Sequence, residues 1–165
     1  MSIEIERRFL LKNDSWRTQA GTPQLLRQGY LKADKACSIR VRICDEQAWL
    51  TLKGFISEVS RSEFEYPIPL ADAETILETL CPFRLEKYRY VLTYQGTVFE
   101  IDEYLGDNAP LIVAELELPD EATPYPRPDW LGEEITAHGH YTNAYLSTHP
   151  YSQWPPQQHA TAAAD

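Results

Sequence analysis

Carboxylates recur two residues apart at four places in this 165-residue chain: Glu4 and Glu6, Glu63 and Glu65, Glu100 and Asp102, Glu115 and Glu117. Basic side chains recur at the same spacing at Arg40 and Arg42 and at Lys87 and Arg89. On a β-strand a spacing of two puts both side chains on one face. Paired carboxylates on such a face repel each other unless they share a cation, so Glu4/Glu6 and Glu115/Glu117 are candidates for oxygen ligation of a hard metal ion. Paired bases repel unless an anion lies between them, and guanidinium forks match phosphate oxygens. Facing walls of both kinds suit a metal-complexed polyphosphate, with the bases neutralising phosphate oxygens and the acids holding the metal. Such an arrangement can supply the positioning, electrostatic stabilisation and nucleophilic water that phosphoryl transfer requires.

The elements that must carry these residues alternate with a period of two, the strand signal. Residues 2–11 set Ile3, Ile5 and Phe9 against Glu4, Glu6 and Arg8. Residues 38–43, 48–53, 62–66, 86–91, 98–102 and 112–118 alternate in the same way, and Gln24–Leu31 is a further strand with a weaker pattern. The ionic faces are sorted by strand. Acids occupy 2–7, 62–66, 98–102 and 112–118; bases occupy 38–43, 48–53 and 86–91. Asp45-Glu46-Gln47 and Gln95-Gly96-Thr97 are predicted hairpin loops. Asp72 is predicted to cap a helix at 73–81, Asp14 to start a short helix at 15–20, and Asp129 to cap one at 130–138, with a last helix at 141–148. About eight strands close into a barrel whose interior holds side chains or a small ligand. The predicted fold is therefore mainly β (α+β): a closed eight-stranded antiparallel barrel with a charged tunnel inside and a few helices outside. A flat sheet with a salt-bridged solvent face is the plainer alternative, but it does not call for doubled carboxylates four times over.

The length fits one domain, read as residues 1–150, followed by a loose tail at 151–165 that lacks apolar periodicity. A net charge of −10 argues against long-range attraction to nucleic acid or an anionic membrane, while a polyanion met by a local basic cluster stays compatible. No apolar run reaches the ~20 residues of a membrane helix. The acidic N-terminus does not resemble an export signal, and three cysteines without CxxC spacing predict a reducing, cytoplasmic setting rather than a disulfide framework or zinc site.

These residues carry a family resemblance. The opening Glu4-Ile5-Glu6-Arg7-Arg8 is similar to the ExExK signature of the CYTH superfamily, the triphosphate tunnel metalloenzymes. Gln28-Gly29-Tyr30-Leu31, Ser38 to Arg42, Leu50 to Gly54, Glu63 to Glu65, Leu85 to Tyr90, Phe99 to Asp102 and Ala114 to Glu117 agree in order. Late in the chain, Asp129 to Thr136 and Tyr141-Thr142-Asn143 resemble the short bacterial members. The resemblance implies an eight-stranded antiparallel tunnel, a Mg²⁺ or Mn²⁺ requirement and a small-molecule triphosphate substrate. It implies Glu4, Glu6, Glu115 and Glu117 as metal ligands and Asp102 as a ligand of a second metal. Arg8, Arg40, Arg42, Lys53, Lys87 and Arg89 become triphosphate-binding bases, with Lys87 and Tyr30 in catalytic roles. Glu63, Glu65 and Glu100 are read as partners that orient the bases.

One position departs from the signature: its final Lys is Arg8 here. Charge is kept, but a compact ammonium is replaced by a planar fork that stays protonated. Retained binding with an altered rate or specificity is the expectation. The leading activity is hydrolysis of inorganic tripolyphosphate to pyrophosphate and phosphate. The alternatives are hydrolysis of ATP or thiamine triphosphate, class IV adenylate cyclisation, and non-catalytic polyphosphate or nucleotide binding. The chain is expected to act as a monomer or homodimer. His138, His140, His149 and His159 are read as surface histidines, and Trp16 and Trp130 as anchors on the outer wall.

Overall fold

The computed structural model describes residues 2–156. The strands are β1 (Ser2–Leu11), β2 (Gln24–Ala33), β3 (Cys37–Cys44), β4 (Gln47–Phe55), β5 (Ser60–Ile68), β6 (Phe83–Tyr94), β7 (Thr97–Tyr104), β8 (Ile112–Glu117) and β9 (Leu131–Glu134). They pair in the order β5-β4-β3-β2-β6-β7-β8-β1-β9, and β5 returns to β1. Every pairing is antiparallel, so β1 to β8 close into an eight-stranded barrel. β5 pairs with β1 at residues 2–5, and β9 pairs with it at Phe9 and Leu11. Two-residue turns join β3 to β4 and β6 to β7. Asp45 takes φ 54°, and Gln95 and Gly96 take φ 48° and 79°, the doubly left-handed turn that matches strand twist.

The apolar faces point outward and are covered in part, while Ile3 of β1, Phe64 and Tyr66 of β5 and Tyr88 of β6 stay exposed. Phe9, Phe99, Ile101 and Leu116 pack under Trp16 and Trp130, which makes one outer core. Val41 and Ile43 of β3 and Ala48 of β4 pack under α1 (Leu70–Thr79) through Ala73 and Leu77. Helix and sheet approach so closely that a Cβ on Gly29 would lie 2.6 Å from Leu77 Cδ2 and 2.7 Å from Cys81 Cβ. A third core runs into the barrel's end. There Leu10, Leu85, Tyr104 and Val113, on the inward parity of their strands, meet Tyr141, Leu146 and Trp154 from the C-terminal segment.

Four local expectations are corrected. α1 starts before Asp72, because Pro69 stands at the N-cap with φ −58° and its carbonyl accepts from the Ala73 amide at 3.0 Å. Residues 130–138 are not a helix; Leu131–Glu134 is β9, drawn into register by the free edge of β1. The segment expected to begin a loose tail is packed as far as Trp154, which is 7% exposed and donates its indole N–H to the His149 carbonyl at 2.8 Å. Residues 157–165 of that expected tail, His159 among them, lie outside the described residues. The last helix, α2 (Asn143–Thr148), starts two residues later than expected, with Thr142 as its cap. The start at Asp14 holds for a single 3-10 turn, Ser15–Thr18.

Because Trp154 fills the barrel's end, Trp154→Ala is expected to cost about 3 kcal/mol. Thermal denaturation should show this as a melting temperature lower by roughly 10 °C; a loose tail would lose nothing.

Candidate active site

The strand period carries the ionic residues inward, and barrel closure sets like charges against each other. Glu6 lies directly across from Glu117, and Glu100 from Glu115. Like charges at such positions destabilise a sheet. Glu6, Glu117 and Glu63 respond by binding protons more tightly. Burial, then Glu115 and Glu4, push Glu6 from 4.5 up to about 8. Burial and the neighbouring acids Glu4 and Glu100 push Glu117 up, and burial with Glu4 does the same to Glu63.

The bases are held in three different ways. Lys53 donates to Glu4 Oε1 at 2.7 Å and lies 3.7 Å from Glu63. Arg89 donates to Asp102 at 2.8 and 2.9 Å, to Glu115 at 2.9 Å and to Glu100 at 3.3 Å, so it ties three acids together. Lys87 donates to Asp102 Oδ2 at 2.7 Å and to Asn143 Oδ1 at 3.1 Å. Burial pushes Lys87 down to about 7 against the pull of Asp102. Burial also opposes the charge on Asp102, but Arg89 and Lys87 outweigh it and hold that carboxyl well below the usual carboxylate range.

Arg40 and Arg42 are less well served. Arg40 Nη2 lies 3.9 Å from Glu65 and donates to Thr51 at 3.4 Å, while its buried Nε has no hydrogen-bond partner in the protein. Arg42 Nε donates to the neutral Gln28 Oε1 at 3.0 Å. Among the described residues no carboxylate lies within 4.0 Å of the Arg42 guanidinium. Burial, with Arg40 and Arg89 beside it, presses Arg42 from 12.5 down to about 10. A half-buried cation among cations, without an acid of its own, is the electrostatic signature of an anion site.

A cavity of about 300 Å³ opens at the barrel end formed by the β2–β3 and β4–β5 connections and the segment before α2. It brings together Glu4, Glu6, Arg8, Tyr30, Arg40 and Lys53. Arg42, Lys87, Arg89, Asp102 and Glu115 form the adjoining ionic cluster rather than its lining. Glu65 and Glu100 each reach an arginine, and Glu63 reaches Lys53. His138 and His140, expected on the surface, are half-buried, stack 5.8 Å apart and line the cavity.

Arg8 directs its donors to partners other than Tyr30. Its Nη1 donates to the Tyr141 carbonyl at 2.5 Å, its Nε lies 3.4 Å from Glu115, and its Nη2 donates to the Tyr104 hydroxyl at 3.4 Å. The fork braces the C-terminal segment by spreading its donors over three partners, a span that one compact ammonium cannot cover. Among the described residues, no three His, Cys, Asp or Glu side chains converge closely enough to hold a metal. The donor chemistry nevertheless fits a hard divalent ion: Glu4, Glu6, Glu115 and Glu117 are all carboxylates, and burial with the charges of Glu4 and Glu115 holds Glu6 and Glu117 above the usual carboxylate range.

Three participants leave little or no mark in the sequence. Gln28, 1% exposed, bridges Arg42 and the Tyr30 hydroxyl, to which it donates at 3.2 Å. A neutral amide gives no charge pattern to find it by. Tyr104 continues the inward parity of Glu100 and Asp102, so extending the period by two would have found it. Asn143 comes from a helix and leaves no trace in strand periodicity.

Comparison with known proteins agrees with this geometry. The chain matches the CYTH domain over residues 2–146 and belongs to that family. It is 42% identical over 155 residues to the inorganic triphosphatase of Acetivibrio thermocellus, covering 93% of this chain and 99% of that protein. It is 33% identical over 148 residues to the inorganic triphosphatase of Nitrosomonas europaea, covering 87% and 96%. A crystal structure of an inorganic triphosphatase superposes with a TM-score of 0.63 at 32% identity, covering 89% of this chain and 95% of that one. A Bacillus halodurans structure described as a putative adenylate cyclase shares the fold at a TM-score of 0.59 and 16% identity, covering 94% and 95%. Family membership implies a divalent metal cofactor.

Two outcomes are expected. Between pH 4.5 and about 8 the folded, metal-free chain holds a proton at Glu6 that the unfolded chain releases. Stability should therefore fall as pH rises through that window. Denaturant titrations in chelator should show the fall, and Glu6→Gln should flatten it. Arg8→Lys should lower the melting temperature, because a lysine cannot bridge Tyr141, Glu115 and Tyr104 together; an unchanged value would remove the brace.

Proposed function

We propose that the chain is a metal-dependent triphosphatase that cleaves inorganic tripolyphosphate to pyrophosphate and phosphate. The observation that carries this reading is the unneutralised Arg42 beside Arg40 and Arg89, set in the same barrel as mutually repelling carboxylates. The names of the relatives at 42% and 33% identity favour the inorganic substrate over an organic one.

In this reading Arg40, Arg42 and Lys53 bind the phosphate oxygens, and the orphaned Arg40 Nε gains its missing acceptor. Glu4, Glu6, Glu115 and Glu117 would hold Mg²⁺ or Mn²⁺, which when bound would supply charge neutralisation for phosphate oxygens and a more acidic water. Asp102 stays with the bases, since Arg89 and Lys87 already engage both its oxygens. Arg89 and Lys87 place positive charge where the leaving pyrophosphate gathers negative charge. The half-buried and buried free thiols suit a reducing cytoplasm, and the net negative charge argues against a nucleic-acid partner.

The test is phosphate release from tripolyphosphate, with ATP in parallel, with and without Mg²⁺ or Mn²⁺. Metal-dependent release from tripolyphosphate, faster than from ATP, is the expected result. Glu4→Gln and Arg42→Leu should each lower kcat/KM by about 10²- to 10³-fold, the range for losing one electrostatic stabiliser. Faster release from ATP would move the substrate to nucleotides, and tight metal-dependent binding without turnover would make the chain a polyphosphate-binding module.

A further inference from the structure

The stretch Tyr141-Thr142-Asn143 has no assigned role in that mechanism. Thr142 caps α2, its hydroxyl accepting from the Tyr145 amide at 3.2 Å. Asparagine often fills that capping position itself. Here the threonine has it, so the Asn143 amide is released from the helix end and turns into the barrel. Its Oδ1 accepts from the Tyr104 hydroxyl at 2.6 Å and from Lys87 Nζ at 3.1 Å. Both donors are shut away from water, Tyr104 at 1% and Lys87 at 0% exposure.

Lys87 is thereby held by two oxygens on different elements, Asp102 on β7 at 2.7 Å and Asn143 on α2. An ammonium has three donors. Two anchors fix the end of a flexible four-carbon chain and set the direction of the third N–H. With Asp102 alone, the ammonium swings about a single bond. Asn143 also lines the cavity that holds Arg8, Tyr30 and Arg40, so it joins the cavity wall to the buried ionic cluster.

We propose that Asn143 is a positioning residue that fixes the Lys87 ammonium so that one donor stays directed at the bound polyphosphate. This rests on the triphosphatase reading. The role differs from a helix anchor, since α2 is already docked by Leu146 and by Tyr141 and Trp154 beside it.

The experiment compares Asn143→Leu, Asn143→Asp and Asn143→Ser by kinetics on tripolyphosphate with Mg²⁺, by thermal denaturation, and by the ¹H–¹⁵N signal of the Lys87 ammonium. That signal is recorded on metal-free protein and assigned by its loss in Lys87→Met. Asn143→Leu should lower kcat about 10- to 100-fold, as loss of alignment does, with KM changed less than about threefold. Asn143→Asp keeps the acceptor and should recover kcat to within about threefold of wild type. The ammonium signal should persist in Asn143→Asp and broaden away in Asn143→Leu, with Asn143→Ser standing in if the leucine variant fails to fold. A lower melting temperature with unchanged kcat overturns the proposal, as does an ammonium signal indifferent to the loss of the amide. If wild type releases no phosphate, the functional reading fails on its own, and the ammonium signal decides the role of Asn143.

Discussion

Closing a charged sheet on itself forces each inward side chain to face another wall, with less bulk water to dilute the field. That constraint governs this protein. Eight strands with ionic inner faces place Glu6 against Glu117 and Glu100 against Glu115, and they gather Arg40, Arg42 and Arg89 within reach of one another. An open sheet with the same sequence would leave these groups solvated and nearly indifferent to each other. In the barrel, part of the charge is settled internally. Arg89 binds Asp102, Glu115 and Glu100, and Lys87 binds Asp102. The remainder, at Glu6, Glu117 and Arg42, awaits charge from outside. A cation paired with a polyanion answers both halves at once.

Most of this is legible in the sequence because a period of two survives any sequence context. The alternation marks seven of the eight barrel strands and their charged inward residues with them, and β2 more weakly. The barrel follows from the sorting of acids and bases by strand. What stays hidden lacks a period. β9 is four residues long, too short to alternate, and Trp130, Leu131 and Ile135 lie at helical spacing. Only pairing with β1 decides between the two forms. Trp154 follows the polar pair Ser152 and Gln153 and has no apolar neighbour close on its C-terminal side, so nothing local marks it as core.

The same limit applies to the candidate site. Charges announce themselves, whereas the neutral groups that aim them do not. Gln28 connects Arg42 to Tyr30, and Asn143 connects Lys87 to Tyr104. Each works through an amide whose worth depends on which two side chains it lies between. Arg8 shows how a motif position can be filled by a residue that does something else. It carries the expected charge but directs its donors to Tyr141, Glu115 and Tyr104.

The first strand exchanges partners along its length, β5 at residues 2–5, β8 at 6–10 and β9 from Phe9 onward. A ribosome therefore delivers β1 first and its last partner more than a hundred residues later. Until then the β1 edge toward β8, and the stretch of its other edge that β9 will take, are unpaired templates, open to the wrong strand. Closure depends on contacts of long sequence separation, which assemble slowly. The β2–β3–β4–β5 hairpins can form in chain order, each next to its neighbour, and wait. Barrel closure thus comes late in chain order, when β8 and β9 reach β1, and its speed sets how long the acidic and basic walls remain apart.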